Sequence, residues 1–306
     1  MSSGEARVEA QAKLNLFLKV LAREDSGFHQ IETLFCRLTL ADTVTVRVTA
    51  SGRKLACSGE RLPAGGLGGP PESNLAWRAA AIYAEETGFP SGFEIAIEKR
   101  IPVGGGLGGG SADAGAVLRA LNALNPSPLA ARDMLRLAAA LGADVPFLTQ
   151  DTAPAALAWG RGARMLLLPA LPVRAVWLLV PDVSVNTADA YQWLRETKRY
   201  TAPTAIPLDQ LTRWDGIAAL ATNDFEPVVA SHVPVIGKLL QNLRSAEFRE
   251  VLGSSAIVLM SGSGSTVAVI TGEPPPGAFQ PAPAVGGVSI LETESSAFVE
   301  PVVLTH

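Results

Sequence analysis

Apolar and polar residues alternate along several stretches in the first half of the chain. Strict alternation is typical of a strand with one buried face, and it occurs in AKLNLFLKV at 12–20 and in DTVTVRVTA at 42–50. Helical spacing instead runs through SNLAWRAAAIYAEETG at 73–88, where Ser73 is expected to cap a helix and Gly88 to end it. The first half is therefore predicted to mix strands and helices.

The second half shows the same two periodicities. Helices are predicted around 187–199 and 233–248, and strands are predicted in three runs: RAVWLLVP at 174–181, SAIVLM at 255–260 and VSILETE at 288–294. A proline-rich connection at 272–287 precedes the last of these strands. Between residues 151 and 165 a helical pattern gives way to strands, so we predict two domains, 1–158 and 159–306.

IPVGGGLGGGSADAG, at 101–115, places six glycines in seven consecutive positions. It joins the alternating FEIAIEK run, at 93–99, to a stretch with helical spacing. Glycine loses more conformational freedom on folding than any other residue, so such a run indicates a close approach to the backbone. Free N–H groups at a helix N-terminus suit an anion such as phosphate. We therefore predict a phosphate cradle, and we regard a flexible linker as the weaker alternative.

Two better-known glycine loops do not fit this segment. A Walker loop ends in Gly-Lys-Ser/Thr, whereas here Ser111, Ala112 and Asp113 follow the glycines without a lysine. Gly104, Gly106 and Gly109 match the G-x-G-x-x-G pattern formally. That fingerprint should lead to a second parallel strand, but another helical pattern follows instead, so the dinucleotide-binding interpretation fails.

Composition limits the functions that this loop could serve. The 306 residues are 48% hydrophobic and 18% charged, which favours a soluble globular protein with one or two cores. The formal net charge of −4 argues against nucleic acid or an anionic membrane as the main partner. No signal peptide or membrane span is expected. Cys36 and Cys57 indicate reduced thiols in the cytoplasm, and three scattered histidines exclude a zinc cluster of thiols and imidazoles.

The segment PVGGGLGGGSADAGAVLRALN, at 102–122, resembles the ATP-binding motif of the GHMP small-molecule kinases. Four further motifs follow in the order found in one branch of that family, whose acceptor is a cytidine diphosphate-linked methylerythritol. These motifs are AKLNLFLKVLAREDSGFHQIETLFCRLTLADTV at 12–44, LGADVPFLT at 141–149, NDFEP at 223–227 and MSGSGSTV at 260–267.

The resemblance implies an α+β fold of two domains, with an active site in the cleft between them. The N-terminal domain would be like ribosomal protein S5 domain 2, and the C-terminal domain would be an α/β sandwich. The implied activity is phosphoryl transfer from ATP, with Mg²⁺, to the 2-hydroxyl of the acceptor in the non-mevalonate route to isoprenoid precursors. Two alternatives stay open: a GHMP kinase acting on homoserine or mevalonate, and a non-catalytic ligand-binding member.

Phosphoryl transfer needs an acceptor of the hydroxyl proton and a cation beside it, and Asp144 and Lys13 are the candidates. Asp144 follows Gly142, which is expected to end a helix, and precedes Pro146 by two residues, so its side chain is expected at a turn. From the residues alone, a helix-capping role for Asp144 remains open. Lys13 is expected to share the polar face of a strand with Asn15, and the resemblance implies that Lys13 keeps Asp144 ionised.

The resemblance also implies how the cytosine ring is recognised. His29 would pair with the base edge, and Phe28 and Tyr191 would clamp the ring. Position 28 is commonly tyrosine in the family, so a hydroxyl contact is lost here while stacking remains. Thr187 and Asn15 are further substrate contacts on this interpretation, although Thr187 could equally cap the helix that follows it.

For ATP, the phosphate cradle is expected to comprise Pro102, Val103, Gly104, Gly105, Gly106, Leu107, Gly108, Gly109, Gly110, Ser111 and Ala112. Asn74 and Lys99 are secondary suggestions for the rest of the nucleotide. Gly109 and Gly110 stand where many GHMP kinases carry hydroxyl side chains, so the protein ligands of Mg²⁺ stay open. SGSGS at 261–265 would close over the substrate diphosphate or form a tight turn, and the oligomeric state is left undecided.

Overall fold

The computed structural model describes residues 4–197, 200–272 and 287–305. The strands are β1 Glu5–Arg23, β2 His29–Thr49, β3 Arg53–Ser58, β4 Gly92–Glu98, β5 Ala155–Gly160, β6 Arg164–Leu168, β7 Ala175–Pro181, β8 Ile257–Met260, β9 Val267–Ile270, β10 Val288–Glu294 and β11 Val302–Thr305. The helices are α1 Leu75–Thr87, α2 Gly109–Leu124, α3 Ala131–Leu141, α4 Val145–Thr149, α5 Thr187–Thr197, α6 Trp214–Leu220, α7 Glu226–His232, α8 Pro234–Leu243 and α9 Ala246–Leu252.

The first sheet is built on two long antiparallel strands, β1 and β2, and its main path runs β11-β1-β2-β4-β3. The C-terminal half of β2 pairs with β4, whereas residues 31–36 in its N-terminal half pair with β5, which in turn pairs with β6. Helix α2 packs against β1, β2 and α1. Every residue of α2 from Ala112 to Leu121 is buried, so the helix that follows the glycine loop lies in the main core.

The second sheet has the order β10-β7-β9-β8 and is antiparallel throughout. Its apolar residues form a second buried cluster with those of α5, α7 and α8. The α+β class predicted from the sequence is thus observed, with helices packed on two separate sheets.

The predicted boundary between residues 158 and 159 needs correction. It falls inside β5, which pairs with β2 over residues 155–160. Strand β6 also belongs to the first sheet, so the chain passes to the second sheet after Leu168. The chain then returns at its C-terminal end, where β11 pairs antiparallel with the start of β1. The sequence pattern alone could not show this return, because the pairing joins residues that are separated by almost the whole length of the chain.

Two local predictions also differ from the structure, and two others fall wholly or partly outside the described residues. Asn74, not Ser73, caps α1 by accepting the N–H of Ala76 at 2.8 Å, while Ser73 Oγ donates to Pro70 O. The single helix expected around 233–248 is divided into α8 and α9, with Ser245 as the N-cap of α9. The proline-rich connection falls almost entirely outside the described residues, as do the last two residues of the predicted 187–199 helix.

The two sheets meet where two glycine-containing loops touch. Thr266 N donates to Gly105 O at 3.2 Å, and Ser261 Oγ donates to Gly106 O at 3.0 Å. This contact places the turn between β8 and β9 directly against the loop that leads into α2. Within the described parts of the chain, no helix combines the length and the apolar character needed to cross a membrane.

Candidate active site

The glycine loop is shaped by the protein's own neighbouring groups. Gly104, Gly106 and Gly108 all have φ near +75°, a left-handed conformation that other residues rarely adopt. A Cβ on Gly106 would lie 2.1 Å from Ser261 O, and one on Gly105 would lie 2.6 Å from Thr266 Oγ1. The close approach predicted from the sequence is thus made in part by the turn between β8 and β9.

The same loop also packs against Lys13. A Cβ on Gly108 would lie 2.9 Å from Lys13 Cγ, and Lys13 N donates to Leu107 O at 3.0 Å. Gly110 is different, because it has no unusual φ and its nearest neighbour would be Leu75 Cδ1 at 3.9 Å. The packing of the protein therefore does not explain why position 110 is a glycine.

A cavity of about 310 Å³ lies in front of the loop. Helix α2 begins at Gly109, so the N–H groups of its first turn, except that of Ala112, have no helical acceptor. The wall includes every predicted cradle residue from Pro102 to Ser111 together with Asn74, Lys99 and Asp113. Ala112 is an exception, since its side chain is buried and its N–H donates to Gly108 O.

The structure gives Lys99 a structural role. Its Nζ forms ion pairs with Asp42 and, at 2.7 Å, with Asp113, and all three residues are buried. The second oxygen of Asp42 accepts the N–H groups of Arg100 and Ile101 at 2.6 and 2.8 Å. This ionic cluster, comprising Asp42, Lys99 and Asp113, joins the start of the glycine loop to the first turns of α2. The ammonium of Lys99 and one carboxyl oxygen of Asp113 are thus engaged away from solvent, while Oδ1 of Asp113 is buried without a partner.

Lys13 and Asp144 meet beside the loop, and this contact is the one that the resemblance implied. Lys13 Nζ lies 3.3 Å from Asp144 Oδ2, and it donates to Asn15 Oδ1 at 2.6 Å and to Gly106 O at 3.0 Å. The ammonium group thus makes two hydrogen bonds and one ion pair. Asn15 in turn donates to Thr33 Oγ1 at 2.8 Å, so the buried lysine is held in one direction.

Asp144 occupies the N-cap position of α4 but makes no side-chain capping hydrogen bond. Its carboxylate is directed to Lys13 instead, and it stays partly exposed while Lys13 is buried. The capping alternative considered for Asp144 is therefore not what its side chain does here. A carboxylate that faces solvent on one side and an ammonium on the other is able to accept a proton from a hydroxyl.

His29 and Tyr191 stack on each other near this pair. Their ring centroids are 4.3 Å apart with an interplanar angle of 20°. Burial, and to a smaller extent the charges of Arg195 and Arg23, lower the pKa of His29, and its Nε2 is buried without a hydrogen-bond partner. Burial, with a contribution from the charge of Asp144, raises the pKa of Tyr191 to about 12.

Phe28 does not face Tyr191 across an open slot in this structure. Its ring is 57% exposed, and the guanidinium carbon of Arg161 lies 4.3 Å from the ring centroid, a cation–π contact. Arg161 is held there by an ion pair with Glu24. Phe28 thus contacts Arg161 while Tyr191 stacks on His29, and the clamp on a bound base stays a prediction.

Thr187 contacts the second glycine-containing loop, through a hydrogen bond of 2.9 Å between its Oγ1 and Ser263 Oγ. It does not cap α5, because Asn186 Oδ1 accepts the N–H of Ala188. Residues 261–266 form the turn between β8 and β9. Asn223, from the NDFEP motif, fixes this turn by donating to Met260 O and Gly262 O at 2.6 and 2.8 Å. Sequence reasoning noted that motif but gave its asparagine no role.

Comparison with family models finds a match to the N-terminal domain of GHMP kinases over residues 74–157. Among curated proteins, the chain is 38% identical to 4-diphosphocytidyl-2-C-methyl-D-erythritol kinase of Geobacter metallireducens over 263 residues, which are 85% of this chain and 87% of the relative. It is 37% identical to the kinase of the same name from Gloeobacter violaceus, over 95% of this chain and 98% of the relative.

Solved structures give the same grouping. A crystal structure of 4-(cytidine 5'-diphospho)-2C-methyl-D-erythritol kinase superposes with a TM-score of 0.71 at 31% identity, covering 95% of this chain and 99% of the other. Homoserine kinase from Cytophaga hutchinsonii superposes with a TM-score of 0.62 at 18% identity, covering 100% of this chain and 98% of the other. The second likeness shows a shared fold alone.

Proposed function

Since this chain belongs to the family of 4-diphosphocytidyl-2-C-methyl-D-erythritol kinases, a branch of the GHMP kinases, we propose that Lys13 and Asp144 carry its chemistry. The activity is ATP-dependent phosphorylation of that substrate's 2-hydroxyl, a step of the non-mevalonate route to isoprenoid precursors. The observation that carries the proposal is the 3.3 Å ion pair between Lys13 Nζ and Asp144 Oδ2 beside the glycine loop.

In the proposed reaction, Asp144 accepts the proton of the 2-hydroxyl as the hydroxyl oxygen bonds to the γ-phosphorus of ATP. The bond from the γ-phosphorus to the β,γ-bridging oxygen breaks, and ADP leaves. Positioning and charge stabilisation supply most of the catalysis in phosphoryl transfer. Lys13 stabilises the carboxylate anion of Asp144, and Asn15 and Gly106 O orient that ammonium.

The ATP phosphates are proposed to lie in the cavity in front of the glycine loop. Support comes from the free N–H groups of the first turn of α2 and from the positive end of its dipole. Gly110 also supports this placement. It lines the cavity, and a side chain at this position would meet little protein and would project into the space proposed for the phosphates. Asn74 and Lys99 would shape this cavity and would not bind the nucleotide through their side chains.

Mg²⁺ is proposed as the counter-ion that neutralises the charge of the ATP phosphates. Among the described residues, no group of three or more His, Cys, Asp and Glu side chains is placed to hold a metal ion. Gly109 and Gly110 also carry no hydroxyl. The described side chains therefore do not build a metal site by themselves, and we derive no step through Mg²⁺.

On the substrate side, we propose that His29 and Tyr191 recognise the cytosine ring. The orphaned Nε2 of His29 is a hydrogen-bonding atom that the protein leaves unused. A base would have to displace either Tyr191 from His29 or Arg161 from Phe28 in order to stack there. Thr187 and the turn at 261–265 are proposed to contact the diphosphate.

We also propose that the enzyme acts in the cytoplasm on small molecules alone. The net charge of −4 provides no general attraction for polyanions. Both cysteines are free, and burial raises the pKa of the Cys36 thiol to about 12, so that this thiol stays protonated.

A coupled ADP-release assay tests the proposed function. The cytidine diphosphate-linked methylerythritol, homoserine and mevalonate are offered in parallel, each with wild type and with Asp144→Asn. Release of ADP is expected with the cytidine derivative alone and is expected to be lost in the variant. Equal turnover of homoserine or mevalonate would contradict the acceptor assignment, and full activity of Asp144→Asn would contradict the proposed base.

A further inference from the structure

Arg37, on β2, is a buried cation that the proposed chemistry does not use. It is 1% exposed, and its Nη2 donates to Phe147 O at 2.8 Å and to Gln150 O at 2.9 Å. Its guanidinium carbon also lies 5.0 Å from the centroid of the Phe147 ring. Both carbonyl groups lie at the C-terminal end of α4, so Arg37 satisfies acceptors that the short helix leaves open.

The protein keeps this charge buried at a cost in free energy. No carboxylate of the described residues forms an ion pair with Arg37 within 4.0 Å, and its Nε is buried without a partner. Burial lowers its pKa to about 9. An apolar side chain of similar volume would fill the site without desolvating a charge. Packing alone would therefore favour an apolar side chain over a guanidinium at this position. The guanidinium instead provides a fixed pair of hydrogen-bond donors to α4.

The register of the sheet explains what those donors could control. Lys13 and Arg37 are direct partners in the pairing of β1 with β2, so both side chains extend from the same face of the sheet. Lys13 pairs with Asp144 at the N-terminal end of α4, and Arg37 binds the carbonyls at the other end. A helix of five residues is only about 7 Å long. Two adjacent cations therefore hold its two ends.

We propose that Arg37 is a positioning residue that sets the place of Asp144 relative to Lys13 by fixing the far end of α4. This inference rests on the proposed catalytic role of Asp144. A displacement of about 1 Å in a catalytic group can lower a rate roughly 100-fold. Loss of Arg37 therefore acts on kcat through Asp144, while the ATP cavity, whose lining includes neither Arg37 nor any residue of α4, stays intact.

A double-mutant cycle with Arg37→Met and Asp144→Asn tests this inference. Arg37→Met is expected to lower kcat roughly 10- to 100-fold and to change KM for ATP by less than about threefold. The double variant is expected to be no slower than Asp144→Asn alone, since Arg37 acts only through Asp144. Arg37→Lys, which keeps a cation and donors, is expected to recover part of the loss.

Arg119→Met is the matched control. Arg119 is also buried and also donates to a backbone carbonyl, that of Glu300, but it does not contact α4 through a described hydrogen bond. This variant should lose thermal stability and keep its kcat. A merely structural role for Arg37 would give the same result at position 37, which would overturn the inference.

The remaining outcomes also decide the question. Losses that multiply in the double variant would show that Arg37 acts independently of Asp144, again overturning the inference. If Asp144→Asn keeps full turnover, the proposed base itself is wrong, which is a separate failure. Should Arg37→Met fail to fold, the same cycle is measured with Arg37→Gln, which lacks the charge and the paired guanidinium donors, and an unchanged kcat in that variant would refute the positioning role.

Discussion

At the scale of single residues, Lys13 differs from an ordinary strand lysine in being buried, with two hydrogen bonds and an ion pair to Asp144. Replacing it with methionine, or Asp144 with asparagine, should lower kcat by on the order of 10²- to 10⁴-fold. The dissociation constant for ATP should change by less than about threefold, because the phosphate cradle does not include either side chain. Steady-state kinetics and calorimetric titration with ATP measure the two effects separately.

Lys19 provides a matched control for that prediction. It is a second buried lysine on β1, and its Nζ contacts Thr204 Oγ1 at 3.2 Å and lies 4.0 Å from Glu32. Lys19→Met should therefore leave kcat within about threefold of wild type. A loss at position 19 as large as that at position 13 would show that burial of a cation on β1, and not its contact with Asp144, matters for turnover.

The buried position of Asp113 leads us to expect that the free energy of unfolding depends on pH. Burial, opposed by the charge of Lys99 and assisted by that of Asp42, raises its pKa from 3.8 to about 7. Between these values the folded protein holds a proton that the unfolded chain has released. The free energy of unfolding should therefore fall as the pH rises from about 4 to 7, by roughly 1.4 kcal/mol for each pH unit over which only the folded state is protonated.

Asp113→Asn should remove this dependence, because the amide does not titrate and Asp42 still pairs with Lys99. Urea unfolding of wild type and variant at pH 5, 6 and 7.5 measures the difference. We expect the stability of the variant relative to wild type to increase with pH over this range. A constant difference would show that Asp113 stays ionised in the folded protein throughout.

At the scale of elements, Gly106 and Gly110 serve different purposes in one loop. Gly106→Ala should unfold or strongly destabilise the protein, because its φ is +76° and its Cβ would overlap Ser261 O. Gly110→Ala lies in the first turn of α2 and meets no obstacle, so it should raise the free energy of unfolding by about 0.5–1 kcal/mol. It should nevertheless raise KM for ATP roughly tenfold, if phosphate lies against that backbone.

Thermal melts and ATP titrations of these variants separate the two effects. Gly65→Ala serves as the control, since position 65 also has open space and no left-handed conformation; it should also stabilise the protein slightly but should leave KM for ATP unchanged. If Gly110→Ala is more stable and also binds ATP normally, the phosphates do not lie against the first turn of α2.

The sequence was informative wherever a signal is local. The alternation around Lys13 and Asn15 predicted their shared face, and Gly142 and Pro146 predicted that Asp144 would stand at a turn. The caps were less certain because neighbouring residues compete for the same N–H groups, as Asn74 does with Ser73 and Asn186 with Thr187. Small polar side chains one position apart have similar capping preferences, so geometry decides between them.

The sequence was silent wherever a contact depends on strand register. Arg37 is separated from Phe147 O by more than a hundred positions, and nothing local indicates that a strand residue reaches α4. Lys99 likewise ends a strand on an apparently polar face, but its charge is buried between Asp42 and Asp113. Such partners become visible only after the sheet has been assembled.

At the scale of the whole molecule, the two ends of the chain are joined in one sheet. β11 pairs with β1 from Glu5 to Val8. The amide of Gln11, 1% exposed, donates to Ser296 Oγ at 3.0 Å and Phe298 O at 3.3 Å, and its Oε1 accepts the N–H of Glu300 at 3.1 Å. The C-terminal tail, for which the sequence offered no role, therefore satisfies a buried polar side chain of β1.

Two truncations test whether that tail is needed for the first sheet. A chain ending at Ser296 loses β11 and two of the three partners of Gln11, and each buried polar group left unpaired costs about 1–3 kcal/mol. A chain ending at Glu300 loses β11 alone and keeps those partners. We expect urea unfolding to show that wild type is more stable than the chain ending at Glu300, and that this chain is more stable than the chain ending at Ser296. We also expect the exposed edge of β1 to promote aggregation in both.

Equal stability of the two truncations would show that the hydrogen bonds of Gln11 contribute little. Wild-type stability of both truncations would show that the first sheet is complete without the C-terminal return.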